Sequence, residues 1–128
     1  MSRILIIDDD LEFLQTIKII LSDKGFKVET TFTQDYIYEH ILAFDPDLIL
    51  LDINLNGADG RNICMGLKNH FRTKSIPIIL ISADVKIKDD YPKYQAEDFI
   101  EKPFDYESLV YRLDNYFKKS SSEGKMTA

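Results

Sequence analysis

Three features of the sequence predict a single α/β domain built on a parallel sheet. Short apolar runs rich in Ile and Leu recur at residues 4–7, 48–51 and 78–81, with a shorter one at 99–100. Segments of helical apolar spacing separate them, the pattern of successive βαβ units. Each run also ends in a polar group, in the order Asp8-Asp9, Asp52, Ser82 and Lys102-Pro103. In a parallel sheet the carboxyl ends of the strands form one rim, where ligands bind. That ordering therefore lets three acids, a hydroxyl and an ammonium converge on one point.

Residues 4–7 are apolar at successive positions, as expected for a strand covered on both faces. Asp10 is placed to cap a helix whose stripe is Leu11, Leu14, Ile17, Ile20 and Leu21. Lys24-Gly25 ends it, glycine supplying the left-handed C′ conformation. Residues 26–31 read as a second strand. A weaker helix over 33–44 has Ile37, Ile41 and Phe44 inward, and Asp45-Pro46 stops it. Residues 47–52 are the third strand, and 54–60 a turn-rich loop with Gly57 and Gly60. A helix over 61–70 turns Ile63, Cys64 and Leu67 to one side. Strands four and five follow at 77–82 and 98–101. Residues 84–95 should hold a crossover helix, but Pro92 and a scatter of acids and lysines leave little periodicity, so a short or frayed helix is expected. Asp105 caps a final helix with the stripe Leu109, Val110, Leu113, Tyr116 and Phe117. One domain over 1–119 and a polar, disordered tail over 120–128 complete the expected organisation.

Bulk composition narrows the function. The chain has 128 residues, 45% hydrophobic and 30% charged, ordinary for a globular protein with a real core. A net charge of −6 argues against nucleic acid as a partner, since phosphate neutralisation needs a basic face. A single cysteine, Cys64, leaves no intrachain disulfide and no thiolate metal site, and reads as a small core residue. No apolar run reaches membrane-spanning length, and the N-terminus turns acidic too early for a signal peptide. The default expectation is a cytoplasmic protein with no membrane partner. His40 and His70 fall on helices away from the rim, in solvated or structural roles. The glycines lack the spacing of a phosphate-binding or dinucleotide loop.

The acids carry the chemistry. One capping aspartate at a helix start is commonplace. Asp8, Asp9 and Asp10 in a row repel one another unless a cation sits among them. Asp52 ends a nearly all-apolar strand, where an isolated carboxylate is costly. Mg²⁺, or Mn²⁺, suits such a site: it takes oxygen ligands, one or two carboxylates among them, and keeps waters that phosphate oxygens can replace. Lys102 before Pro103, with a cis peptide between them, can turn back over the rim and neutralise a phosphoryl oxygen. Ser82 can donate to another.

With these residues in view, the chain resembles the receiver domains of two-component response regulators. The resemblance rests on residues 4–9, 46–55 with Gly57 and Asp59-Gly60, 76–83 and 98–104, in the family's order and approximate spacing, and covers about residues 2–118. It implies a doubly wound, five-stranded sheet of order 2-1-3-4-5, flavodoxin-like and CheY-like. It implies Asp52 as phosphoacceptor, and Mg²⁺ held by Asp9, Asp52 and the Asn54 backbone carbonyl, with Asp8 acting mainly through water. Ser82 and Lys102 then contact the phosphoryl group, and Phe99 stands at the family's aromatic switch position. The implied partners are a sensor histidine kinase or histidine phosphotransfer protein and a downstream protein target, with the chain a monomer that can dimerise on phosphorylation. Asn56 stands where proline is frequent and Gln95 where glycine is usual. The interval from Ser82 to Lys102 is also shorter than typical for the family.

The resulting expectation is a phosphorylation-dependent switch, not an enzyme beyond its own phosphorylation and dephosphorylation. Two other classes compete. A receiver fold that signals without phosphorylation would not need Asp8, Asp9, Asp52, Ser82 and Lys102 intact. A Mg²⁺-dependent phosphatase or phosphotransferase would need a second acid–base group and a cap domain, neither visible in the sequence.

Overall fold

The apolar runs become the inner strands of one sheet. In chain order the elements are β1 (Arg3–Ile7), α1 (Leu11–Asp23), β2 (Lys27–Thr31), α2 (Ile37–Phe44), β3 (Leu48–Asp52), α3 (Gly60–Lys68), β4 (Ile78–Ser82), α4 (Ile87–Asp90), β5 (Asp98–Glu101) and α5 (Tyr106–Thr127). A two-residue ribbon, Asn54–Leu55 against Ala58–Asp59, follows β3, and a 3₁₀ turn, Tyr91–Tyr94, follows α4. The computed structural model describes residues 2–84 and 86–127, with side chains as far as Lys118. All five strands pair in parallel, in the order β2-β1-β3-β4-β5. The sequence-based order 2-1-3-4-5 is the one observed.

The sheet is covered on both faces, as the unbroken apolar runs require. Ile4, Ile6, Leu48, Leu50, Ile79 and Ile81 face α1 and α5, where they meet Leu14, Ile17, Leu21, Leu109 and Leu113. Leu5, Ile7, Ile49, Leu51, Ile78 and Leu80 face the other way, toward Ile41, Phe44, Cys64, Leu67 and Ile87. Burying these side chains supplies roughly 1.5–3 kcal/mol each, the main force that holds the helices on the sheet.

The sequence reading and the structure differ at the stripe of α1 and at the start of α2. The stripe of α1 is Phe13, Leu14, Ile17 and Leu21, while Leu11 is exposed. At 100° per residue, Leu11 lies about 105° from the centre of that stripe and Phe13 falls within it. The helix expected from residue 33 starts only at Ile37. Thr33 Oγ1 instead accepts the Asp35 N–H at 3.1 Å, and Tyr36 has φ +57°, a conformation no helix continues. The segment expected to be short is short: α4 has four residues, and the 3₁₀ turn after it carries Pro92. The helical backbone of α5 runs past residue 119. The tail expected over 120–128 falls where side chains lie outside the described residues.

At the end of the sheet opposite the acids, Lys68 is almost fully buried on α3. Its ammonium donates to the Ile76 carbonyl at 2.7 Å and pairs with Glu97. Glu97 in turn accepts the Ile78 N–H at 2.6 Å. This clamp joins α3 to the first residues of β4 and to the approach to β5.

Candidate functional site

Register decides which side chains meet at the rim. Ile7 pairs with Leu51, so the next residues, Asp8 and Asp52, stand side by side at the ends of β1 and β3. Ser82 ends β4 one strand further on and pairs with Glu101, which precedes Lys102. The turn out of β5 contains a cis peptide between Lys102 and Pro103.

Asp8 is fully buried, Asp52 is 4% exposed and Asp9 is exposed. An oxygen from each of the three lies within 4.8 Å of the others. Lys102 Nζ donates to Asp8 Oδ2 at 3.0 Å and to Asp52 Oδ2 at 3.2 Å. The other oxygen of each carboxylate also accepts locally: Asp8 Oδ1 accepts the Asp10 N–H at 2.9 Å, and Asp52 Oδ1 accepts the Asn54 N–H at 3.0 Å. Ser82 is 1% exposed, its Oγ accepting the Asp84 N–H at 3.0 Å. The hydroxyl proton stays free to donate elsewhere.

The electrostatics are those of two carboxylates forced together. Burial, then the charge of Asp8, raises the Asp52 pKa from 3.8 to about 6, against the pull of the Asn54 N–H and Lys102. Burial lowers the Lys102 pKa, but the hydrogen bond and charge of Asp8, then those of Asp52, outweigh it and the net shift is upward. Hard oxygen donors in this number suit a divalent cation such as Mg²⁺ or Mn²⁺, which would relieve the repulsion.

Phe99 lies away from the carboxylates. It pairs across the sheet with Leu80, so it shares a face with Ser82, one residue pair nearer the middle of the strand. Its ring is buried and stacks on Tyr91 at 6.5 Å.

Gly60 fits where no other residue would. A Cβ there would stand 2.2 Å from the Asp52 carbonyl oxygen and 2.8 Å from Ile53 Cα. The start of α3 therefore rests directly on the strand end that carries Asp52. Asp59 caps that helix, accepting the Arg61 N–H at 2.9 Å.

The family model of the response regulator receiver domain matches residues 4–114 of this chain. The chain belongs to that family. Two curated relatives show the likeness. The receiver is 37% identical over 117 residues to the DNA-binding dual master transcriptional regulator RpaA of Synechocystis sp., a match covering 88% of this chain and 48% of RpaA. It is 32% identical over 118 residues to the response regulator ArlR of Staphylococcus aureus, covering 88% and 51%. The receiver thus spans about half the length of the curated relatives it matches. Among solved structures, the receiver domain of NtrX from Brucella abortus superposes with a TM-score of 0.78 at 30% identity, covering 88% of this chain and 95% of that one. Membership supports phosphorylation-dependent signalling in general terms. Among the described residues, no helix is long and apolar enough to cross a membrane.

Other sequence-based expectations can be located in the receiver. His40 pairs with Glu29 at 2.7 Å, and His70 with the Tyr38 hydroxyl at 3.0 Å, both away from the rim. Cys64 is buried, and its thiol donates to the Tyr94 carbonyl at 3.3 Å. Phe13 escaped the sequence reading, although its ring lies beneath Lys102 Nζ, 5.7 Å from centroid to nitrogen. The signal was its position five residues after Asp8, on the inner side of α1.

Proposed function

We propose that this receiver takes a phosphoryl group on Asp52 and changes its protein contacts as a result. The observation that carries the reading is the Lys102 ammonium bonded to both Asp8 and Asp52 at the rim where three carboxylates gather. An ion pair kept only for stability would need one carboxylate. Two beside one ammonium leave a local excess of negative charge that a divalent cation offsets.

Asp8, Asp9, Asp52 and the Asn54 carbonyl would hold Mg²⁺, or Mn²⁺. When bound, the ion neutralises charge on the phosphoryl oxygens. An Asp52 carboxylate oxygen forms the new bond to phosphorus in line with the donor, and the phosphorus–nitrogen bond of a phosphohistidine breaks. The electron pair stays on the departing imidazole, which takes its proton from solvent. Lys102 leaves its carboxylate partners for a phosphoryl oxygen, and the Ser82 hydroxyl donates to another. The acyl phosphate carries acceptor oxygens and charge that Asp52 lacked. Ser82 drawn toward them frees space on the face it shares with Phe99, whose repacking alters the surface of α4, β5 and α5.

The donor is a sensor histidine kinase or a histidine phosphotransfer protein, and the output is a protein target. The chain acts as a signalling protein in the cytoplasm, monomeric until phosphorylation, and is no enzyme beyond turnover of its own aspartyl phosphate. RpaA is named as DNA-binding; with a net charge of −6, this domain itself is read as making no nucleic-acid contact.

Intact-mass measurement after incubation with acetyl phosphate and Mg²⁺ tests the assignment. One added phosphoryl group is expected on the wild type, none on Asp52→Asn and none in chelator. Full labelling of Asp52→Asn would refute it.

A further inference from the structure

Lys102 has somewhere else to go. A cavity of about 400 Å³ opens beside it, walled in part by Ala83, Pro103 and Phe104. The lysine stem is flexible, and the ammonium is strongly hydrated and favours open water. In the observed position the ammonium bonds to both Asp8 and Asp52. On phosphorylation it would pass from them to a phosphoryl oxygen, so a contact that keeps it at the crevice through that exchange has work to do.

We propose that Phe13 is a positioning residue for phosphoryl uptake, its ring face holding the Lys102 ammonium at the crevice beside Asp52. The proposal rests on Asp52 being the phosphoacceptor, as argued above. The face of an aromatic ring is negative and attracts a cation within about 6 Å of its centroid. Nζ stands at 5.7 Å. The ring itself is only 7% exposed and is braced on two sides: Phe104 meets it edge-on at 5.6 Å and Tyr106 stacks at 6.4 Å. Its backbone is braced too, because the Phe13 N–H donates to Asp10 Oδ1 at 3.1 Å. The acidic run thus supplies the carboxylates and anchors the ring that steadies their counter-charge. A leucine would fill much of the same volume but present no negative face. That difference separates positioning from mere packing.

Two readouts on the whole chain test this. In protein carrying ¹³C-lysine, the ε-methylene protons of Lys102 should resonate upfield through the ring current of Phe13. Phe13→Leu should return them to the ordinary lysine position, and Phe13→Tyr should not. Beryllofluoride affinity in Mg²⁺ should fall roughly 3- to 30-fold in Phe13→Leu, the range expected for losing one such contact, and recover in Phe13→Tyr. In a Lys102→Met background, Phe13→Leu should cost nothing further, because the coupled partner is gone. Equal losses in both backgrounds, equal losses in the leucine and tyrosine variants, or an ε-methylene that does not move would each overturn the proposal. Failure of wild-type Asp52 to label would remove the phosphoacceptor reading and this role with it. Labelling without coupling would remove only the role of Phe13.

Discussion

Gly60 lies against the backbone of Asp52 so closely that an added methyl group would stand 2.2 Å from the Asp52 carbonyl oxygen. The helix start and the strand end are one packed unit. Gly60→Ala must push them apart, at about 1–3 kcal/mol for an overpacked contact. Urea denaturation should show that loss. The same variant should bind Mg²⁺ more weakly, because the strand end that moves carries Asp52. A Gly60→Ala protein of wild-type stability and Mg²⁺ affinity would show that the contact relaxes freely.

Asp52 makes stability depend on pH. Its pKa is about 6 in the folded chain, against 3.8 as the reference. The folded state holds this proton more tightly, so the stability it contributes is complete below pH 3.8 and is lost as pH rises through about 6. In chelator, Asp52→Asn should therefore be more stable than wild type at pH 7, on the order of 1–3 kcal/mol. The gap should close toward pH 4. Denaturation midpoints across that range are the check, and a gap that widens on acidification would reverse the sign.

Removing Lys102 should separate metal binding from switching. In Lys102→Ala the carboxylates of Asp8 and Asp52 lose their shared ammonium. A divalent cation then meets more uncompensated charge, so Mg²⁺ affinity should rise. Response to the phosphoryl group should fall, since its lysine contact is gone. Calorimetric titration with Mg²⁺, followed by partner capture with and without beryllofluoride, reads both effects. Weaker Mg²⁺ binding would contradict the electrostatic account.

Gln95 has φ +66° at the close of the 3₁₀ turn. A left-handed backbone costs a non-glycine residue about 1–2 kcal/mol, which glycine avoids at some entropic cost of its own. Gln95→Gly should stabilise the chain by about 0.5–1 kcal/mol on balance. Thermal unfolding with an unchanged or lower midpoint would mean that the Gln95 side chain offsets the strain.

Phe99 is the test of transmission. Adding beryllofluoride and Mg²⁺ should shift NMR resonances of Phe99, Tyr91 and Arg112. Arg112 bridges Asp98 and the Phe99 carbonyl at 2.7 and 3.0 Å, so it reports β5 to α5. Shifts confined to Asp8, Asp9, Asp52 and their neighbours would show binding without switching.

The rim was legible because chain order and chemistry agreed there: each buried strand ended in a functional group, and a parallel sheet gathers such ends. The strand order was not legible from periodicity and came through the family likeness. Two features stayed hidden for physical reasons. The start of α2 is set by a threonine hydroxyl competing for a backbone N–H and by a positive φ at Tyr36, which residue type does not announce. Phe13 was hidden because an inward aromatic on a helix normally signals core. Only the path of the chain through Pro103 brings a lysine over it.

The clamp of Lys68, Glu97 and Ile78 sits at the opposite end of the strands from the carboxylates. At the rim the two strands are joined again, the Lys102 N–H donating to the Ser82 carbonyl at 2.9 Å. They are laced at both ends, so a change at Ser82 or Lys102 would reach the 3₁₀ turn through its seat on β5, where Tyr91 stacks on Phe99, rather than by one strand slipping along the other.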